Sequence, residues 1–134
     1  MTALDSSVLI AAFGPWHESH ERARSMLGPD NRLIAHVILE TFSVLTRLPQ
    51  PMRATAEIAR GFLDGLSGEP PLSLSSAEYG PLLDRCSERR IVGGAVYDAL
   101  VGATAAEASE TLVTLDRRAL PVYEAVGAEV ELLD

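Results

Sequence analysis

The chain has 134 residues, 47% of them hydrophobic, which suits one domain, residues 1–134, built around a single sizeable core. A formal net charge of −8 excludes an overall basic field that would draw in nucleic acid or an anionic membrane, and because all 11 basic residues are arginines, any mechanism that needs an active-site ammonium is excluded too. A lone cysteine, Cys86, excludes an internal disulfide, and the first apolar run, "VLIAAF", is too short to span a membrane and follows no basic residue, so no membrane association and a cytoplasmic location are expected.

In chain order, "TAL" before Asp5 predicts a first strand, followed by helices over 6–13 and 17–27 that are separated by Gly14-Pro15 and stopped by "GPDN". "RLIA" at 32–35 predicts a second strand and 36–48 a helix ending before "PQP". Pro51 suits the first turn of a helix running to about Leu66. "PLSL" at 71–74 predicts a third strand, and "SSAE" at 75–78 resembles a capping box for a helix to about Arg89. After Gly93-Gly94 comes a helix of small and apolar residues, "AVYDALVGATA". "TLVTL" at 111–115, a short helix over about 117–126 and "EVELL" at 129–133 complete the chain. Strands alternating with helices imply a parallel sheet covered on both faces, an α/β fold of about five strands.

In an open parallel sheet the functional crevice lies beyond the carboxyl ends of the strands. Asp5 follows the first strand, Asp116 follows "TLVTL", Glu40 lies one turn into the helix after "RLIA", and Asp98 sits at the start of the helix before "TLVTL", so all four are placed to converge there. Each has a plainer reading. Asp5 and Asp116 stand where helix N-caps belong. Glu40 shares a polar stripe with His36, Ser43 and Arg47, and such stripes usually face solvent. Asp98 has only Gly94, Ala95, Val101, Gly102 and Ala105 at helical spacing, with no cation in reach along the helix. A helix dipole favours an anion there by about 0.3–1 kcal/mol, less than the several kcal/mol that an unpaired buried carboxylate costs. A divalent cation shared by the four acids resolves the conflict, and hard oxygen ligands without thiolates suit Mg²⁺ or Mn²⁺. The small residues Gly102 and Ala105 either leave room for a bulky substrate or let the helix approach its sheet. His17 and His20, spaced i, i+3 among Glu18 and Glu21, are read as an exposed helix face and left outside the site.

"LDSSVLIAAF", "HVILETFSVLTRL", "YDALVGATA" and "LVTLDRRAL" together resemble, in order and over almost the whole chain, the four motifs of the PIN-domain ribonucleases, specifically the VapC-type toxins of toxin–antitoxin pairs. The resemblance implies a PIN-like three-layer α/β/α fold and an acidic metal site of Asp5, Glu40, Asp98 and Asp116, with Ser6 and Thr114 as polar helpers. Many members carry a further acid two residues beyond the fourth-motif Asp, where this chain has Arg118, a departure that leaves one or two metals open and offers a basic residue to an RNA phosphate instead. The implied activity is Mg²⁺- or Mn²⁺-dependent hydrolysis of an RNA substrate, leaving 5′-phosphate and 3′-hydroxyl ends. Arg117, Arg118 and Arg47 are candidate phosphate contacts, and His36 a residue of the site's rim. A cognate VapB-type antitoxin and a toxin homodimer are also implied.

Rival readings fit less well. A receiver-type phosphoacceptor needs a lysine that the chain lacks, and a haloacid-dehalogenase-like phosphatase needs a second acid where Ser7 stands. A non-catalytic PIN-like RNA- or protein-binding module shares the fold, and four retained acids weigh against it.

Overall fold

The computed structural model describes residues 1–66 and 68–133. Its sheet is built from β1 (Thr2–Leu4), β2 (Asn31–Arg32), β3 (Thr111–Thr114) and β4 (Val130–Leu132), all parallel, in the order β2-β1-β3-β4. Parallel pairing needs a crossover between successive strands, and helices supply each one. They are α1 (Ser6–Phe13), α2 (His20–Ser25), α3 (Ala35–Leu45), α4 (Ala56–Asp64), α5 (Tyr79–Arg89), α6 (Ala95–Glu107) and α7 (Leu120–Ala125). Consecutive strand residues point to opposite faces, yet Ala3 and Leu4, and Leu112, Val113 and Thr114, are all buried, so helices cover both faces of the sheet. The main core gathers these strands with Val8, Leu9, Val37, Val101 and Tyr123. Cys86 is a packed residue in a second cluster with Leu74, Leu82, Ile91 and Ala99.

Three local expectations are corrected. "PLSL" does not form a fifth strand: only one parallel bridge, Ile34 to Leu72, is present, flanked by Ala35 N–H donating to the Leu72 carbonyl and Leu72 N–H to that of Leu33, both at 2.8 Å. Pro70 and Pro71 have no amide hydrogen, so the ladder cannot extend backward. Pro51 is not in a helix. It lies in a turn closed by Met52 N–H on the Pro49 carbonyl at 2.9 Å, and α4 begins only at Ala56, where the Thr55 hydroxyl accepts from the Ile58 amide at 3.2 Å. "SSAE" forms a 3₁₀ turn over Ser76–Glu78 ahead of α5 and not a capping box. In a capping box the fourth residue would accept the Ser75 amide; here Glu107 of α6 takes it, at 3.0 Å.

Among the described residues no helix is long and apolar enough to cross a membrane.

Candidate active site

β1 ends at Leu4, and the Asp5 amide makes a last ladder bond to the Val113 carbonyl before the chain turns into α1. Asp5 caps that helix through the Val8 amide at 3.3 Å, as its place after a strand suggested, but capping is a minor part of its environment. The carboxylate is 2% exposed. Ser7 Oγ and Val8 N–H donate to Oδ1, while Thr114 Oγ1 and Tyr123 OH, the latter at 2.8 Å, donate to Oδ2. These four bonds fill a carboxylate's four acceptor positions.

The two hydroxyls are themselves oriented by backbone. Leu115 N–H donates to Ser7 Oγ and Asp116 N–H to Thr114 Oγ1, both at 2.9 Å, which leaves each hydroxyl proton for Asp5. Of the two polar helpers the resemblance implied, Thr114 is seen at Asp5, whereas the serine that reaches Asp5 is Ser7 and not Ser6. Burial pushes the Asp5 carboxyl above its ordinary range, and the bonds from Ser7, Thr114, Tyr123 and Val8 pull against that rise. Burial, reinforced by the Asp5 charge, pushes the Tyr123 phenol far upward, so it stays protonated and remains a donor.

Tyr123 was invisible to sequence reading, because 118 residues separate it from Asp5. It reaches the site through the packing of α6 on α7. A Cβ on Gly102 would lie 2.7 Å from Val126 Cγ2 and 3.2 Å from the Tyr123 Cα, so the small residue at 102 serves close helix approach and not substrate space.

Asp98 lies in the first turn of α6, half-buried. Burial, then the charges of Glu40, Asp116 and Asp5, push its carboxyl up to about 6, and Arg118 opposes the rise. The four acids that the sequence placed at the sheet's carboxyl end therefore share one electrostatic field. Their donor chemistry, carboxylate oxygens alone, fits a hard divalent cation, and the excess negative charge at Asp98 is what such a cation would relieve. Among the described residues, no three His, Cys, Asp or Glu side chains stand close enough together to enclose an ion, and Asp5 is turned wholly toward its protein partners.

The remaining polar residues divide. Asp116 caps the 3₁₀ turn Arg117–Ala119 by accepting the Arg118 amide at 3.0 Å, and the Arg118 guanidinium lies 3.6 Å from the same Oδ1. Arg118 is thus a cation at the rim of the acid cluster, its side chain 94% exposed. Arg117 lines a polar cavity of about 440 Å³ with Asp116, Ser7, His17 and Arg22. The histidines of the "HESH" stretch do not form an exposed helix face: His17 Nδ1 accepts the Ser19 amide at 3.0 Å, and His20 Nδ1 is 2.8 Å from the Ala11 carbonyl. The His36 ring is stacked on Tyr97, and both line a groove that Glu40 also lines.

On this four-stranded parallel sheet, with Asp5 directly after β1 and Asp116 near the end of β3, the family model for the PIN domain matches residues 2–125. The chain belongs to the PIN-domain family, in its VapC branch. It is 45% identical over 133 residues to Ribonuclease VapC40 of Mycobacterium tuberculosis, covering 99% of each chain. It is 38% identical over 130 residues to Ribonuclease VapC27 of the same species, covering 96% of this chain and 93% of the relative. The crystal structure of FitAcB from Neisseria gonorrhoeae shares the fold with a TM-score of 0.65 at 19% identity, over 97% of this chain and 96% of that one.

Proposed function

We propose that this chain is a VapC-type endoribonuclease toxin that hydrolyses RNA phosphodiester bonds with Mg²⁺ or Mn²⁺ and is neutralised by a cognate VapB-type antitoxin. The observation that carries the reading is the Asp98 carboxyl, raised by burial and then by the charges of Glu40, Asp116 and Asp5, in a chain 45% identical to a ribonuclease. Glu40, Asp98 and Asp116 are the residues that would hold the ion, together with Asp5, which would have to give up one of the four hydrogen bonds that now fill its carboxylate. When bound, a divalent cation supplies charge that lowers the pKa of a water and stabilises the charge developing on the phosphate.

The chain's own residues do the rest. Ser7, Thr114 and Tyr123 hold Asp5 in one orientation and keep its buried charge solvated by fixed donors. Arg118, beside Asp116, and Arg117 offer guanidinium groups to RNA phosphates at the rim. The proposed protein is a single PIN domain over residues 1–134, active in the cytoplasm as a homodimer, and its products carry 5′-phosphate and 3′-hydroxyl ends.

The test is cleavage of total cellular RNA by purified protein with Mg²⁺, Mn²⁺ or EDTA, alongside Asp98→Asn, with fragment ends mapped. Discrete 5′-phosphate ends that vanish with EDTA and in the variant support the nuclease. Intact RNA under every condition, with folding verified and antitoxin removed, replaces it with a non-catalytic PIN-like binding module.

A further inference from the structure

Beside the acid cluster, α3 and α6 bring two aromatic rings together. His36 and Tyr97 lie parallel, 5° apart in plane, with centroids 5.3 Å apart. Parallel rings in van der Waals contact at that separation are offset sideways by about 4 Å, so part of each face is left uncovered, a step the size of a planar ring. Tyr97 is 55% exposed and the neighbouring Leu39 71%, a cost in exposed apolar area that the core does not explain. The two rings line a groove of about 380 Å³ with Leu39, Glu40, Ser43 and Arg47.

The chemistry of this groove is graded. One wall is Glu40, an acid of the proposed site, and Tyr97 directly precedes Asp98, so the aromatic step adjoins the place where the scissile phosphate would sit. Arg47 lies in the turn two residues past the end of α3 and lines the same groove, so it brings a guanidinium to a surface whose other charged side chain is Glu40. A planar stacking surface between a cation and a carboxylate cluster matches one nucleotide of a single strand, the base on the rings and a flanking phosphate on Arg47.

We propose that the His36–Tyr97 stack is a base-binding platform, which seats an unpaired RNA base next to the cleavage position and makes Tyr97 and Arg47 substrate-positioning residues. The proposal rests on the ribonuclease reading for its biological use, but stacking can be measured without cleavage. The probe is a short single-stranded RNA pool of mixed sequence, with 2-aminopurine substituted at successive positions. Binding is read in the Asp98→Asn background, which keeps the RNA uncut, and steady-state cleavage in the Asp98 protein with Mg²⁺.

Stacking on Tyr97 predicts quenched 2-aminopurine fluorescence at one register, lost in Tyr97→Leu and regained in Tyr97→Phe. In cleavage, Tyr97→Leu raises KM about tenfold with kcat within about twofold, and Tyr97→Phe restores KM. Arg47→Gln, a change at an exposed position, lowers the slope of log affinity against log salt by about one. If the wild type cleaves RNA while Tyr97→Leu leaves both KM and quenching unchanged, the platform is overturned. It is also overturned if the substitution alters only the sedimentation behaviour, since the face is then a protein interface. If the wild type cuts no RNA, the ribonuclease reading fails separately, and quenching alone decides whether a base stacks there.

Discussion

Asp98 carries an unfavourable charge at the mouth of the sheet, its carboxyl raised by burial and then by the charges of Glu40, Asp116 and Asp5. Its carboxyl titrates at about 6 in the folded chain against an ordinary 3.8, so between those values the folded state binds more protons than the unfolded one. Its contribution is therefore most favourable below about pH 3.8, declines as pH rises through 6, and is fully unfavourable at pH 7. Because Asp98 is half exposed, solvent screening reduces the cost to about 1 kcal/mol. Asp98→Asn should accordingly abolish RNA cleavage while raising the melting temperature of EDTA-treated protein at pH 7 by about 3 °C, with no gain at pH 3.5. Calorimetry at the two pH values checks this, and a fall in melting temperature at pH 7 would refute the conflict. Tyr123→Phe removes the 2.8 Å donor to Asp5, a bond to a charged, buried acceptor. It should destabilise the fold by about 1–3 kcal/mol in urea titrations.

Elements are joined at this site by unusually close contacts. Gly102 is where α6 meets α7, and a methyl group there must displace Val126 or the backbone at Tyr123. Gly102→Ala is expected to cost about 1–3 kcal/mol and, by shifting the element that carries the Tyr123 hydroxyl, to lower activity as well. Parallel unfolding and cleavage measurements test both effects, and a variant of wild-type stability would remove the close-approach account. At the end of α5, Arg90 adopts the left-handed conformation at φ 58°, where the Ile91 amide closes onto the Cys86 carbonyl at 2.9 Å. An exposed arginine gains nothing there that glycine would not supply with less strain. Arg90→Gly should stabilise the protein by about 0.5–1 kcal/mol without changing RNA cleavage, read as an upward shift of the denaturation midpoint.

For the molecule as a whole, four acids in one field tie cation binding to pH. A divalent cation competes with the proton held by Asp98, so added Mg²⁺ or Mn²⁺ should raise the melting temperature of the wild type more at pH 7 than at pH 5. Asp98→Asn should show a smaller response at both. Equal responses at the two pH values would separate the acid cluster from cation binding.

Period and punctuation in the sequence were enough for the α/β class, three of the four strands almost to the residue, and the placing of Asp5, Glu40, Asp98 and Asp116 at one end of the sheet. These follow from local physics: alternation, helix breakers and the rule that parallel crossovers set helix starts beyond strand ends. Only tertiary structure decided that "PLSL" makes a bridge and no strand, that Glu107 takes the Ser75 amide and so replaces a capping box, that Ser7 and Tyr123 hold Asp5, and that His36 meets Tyr97. Apart from Ser7, which acts across two residues, each of these joins groups far apart in sequence. Their competition for the same donors and acceptors is settled only when packing brings them together.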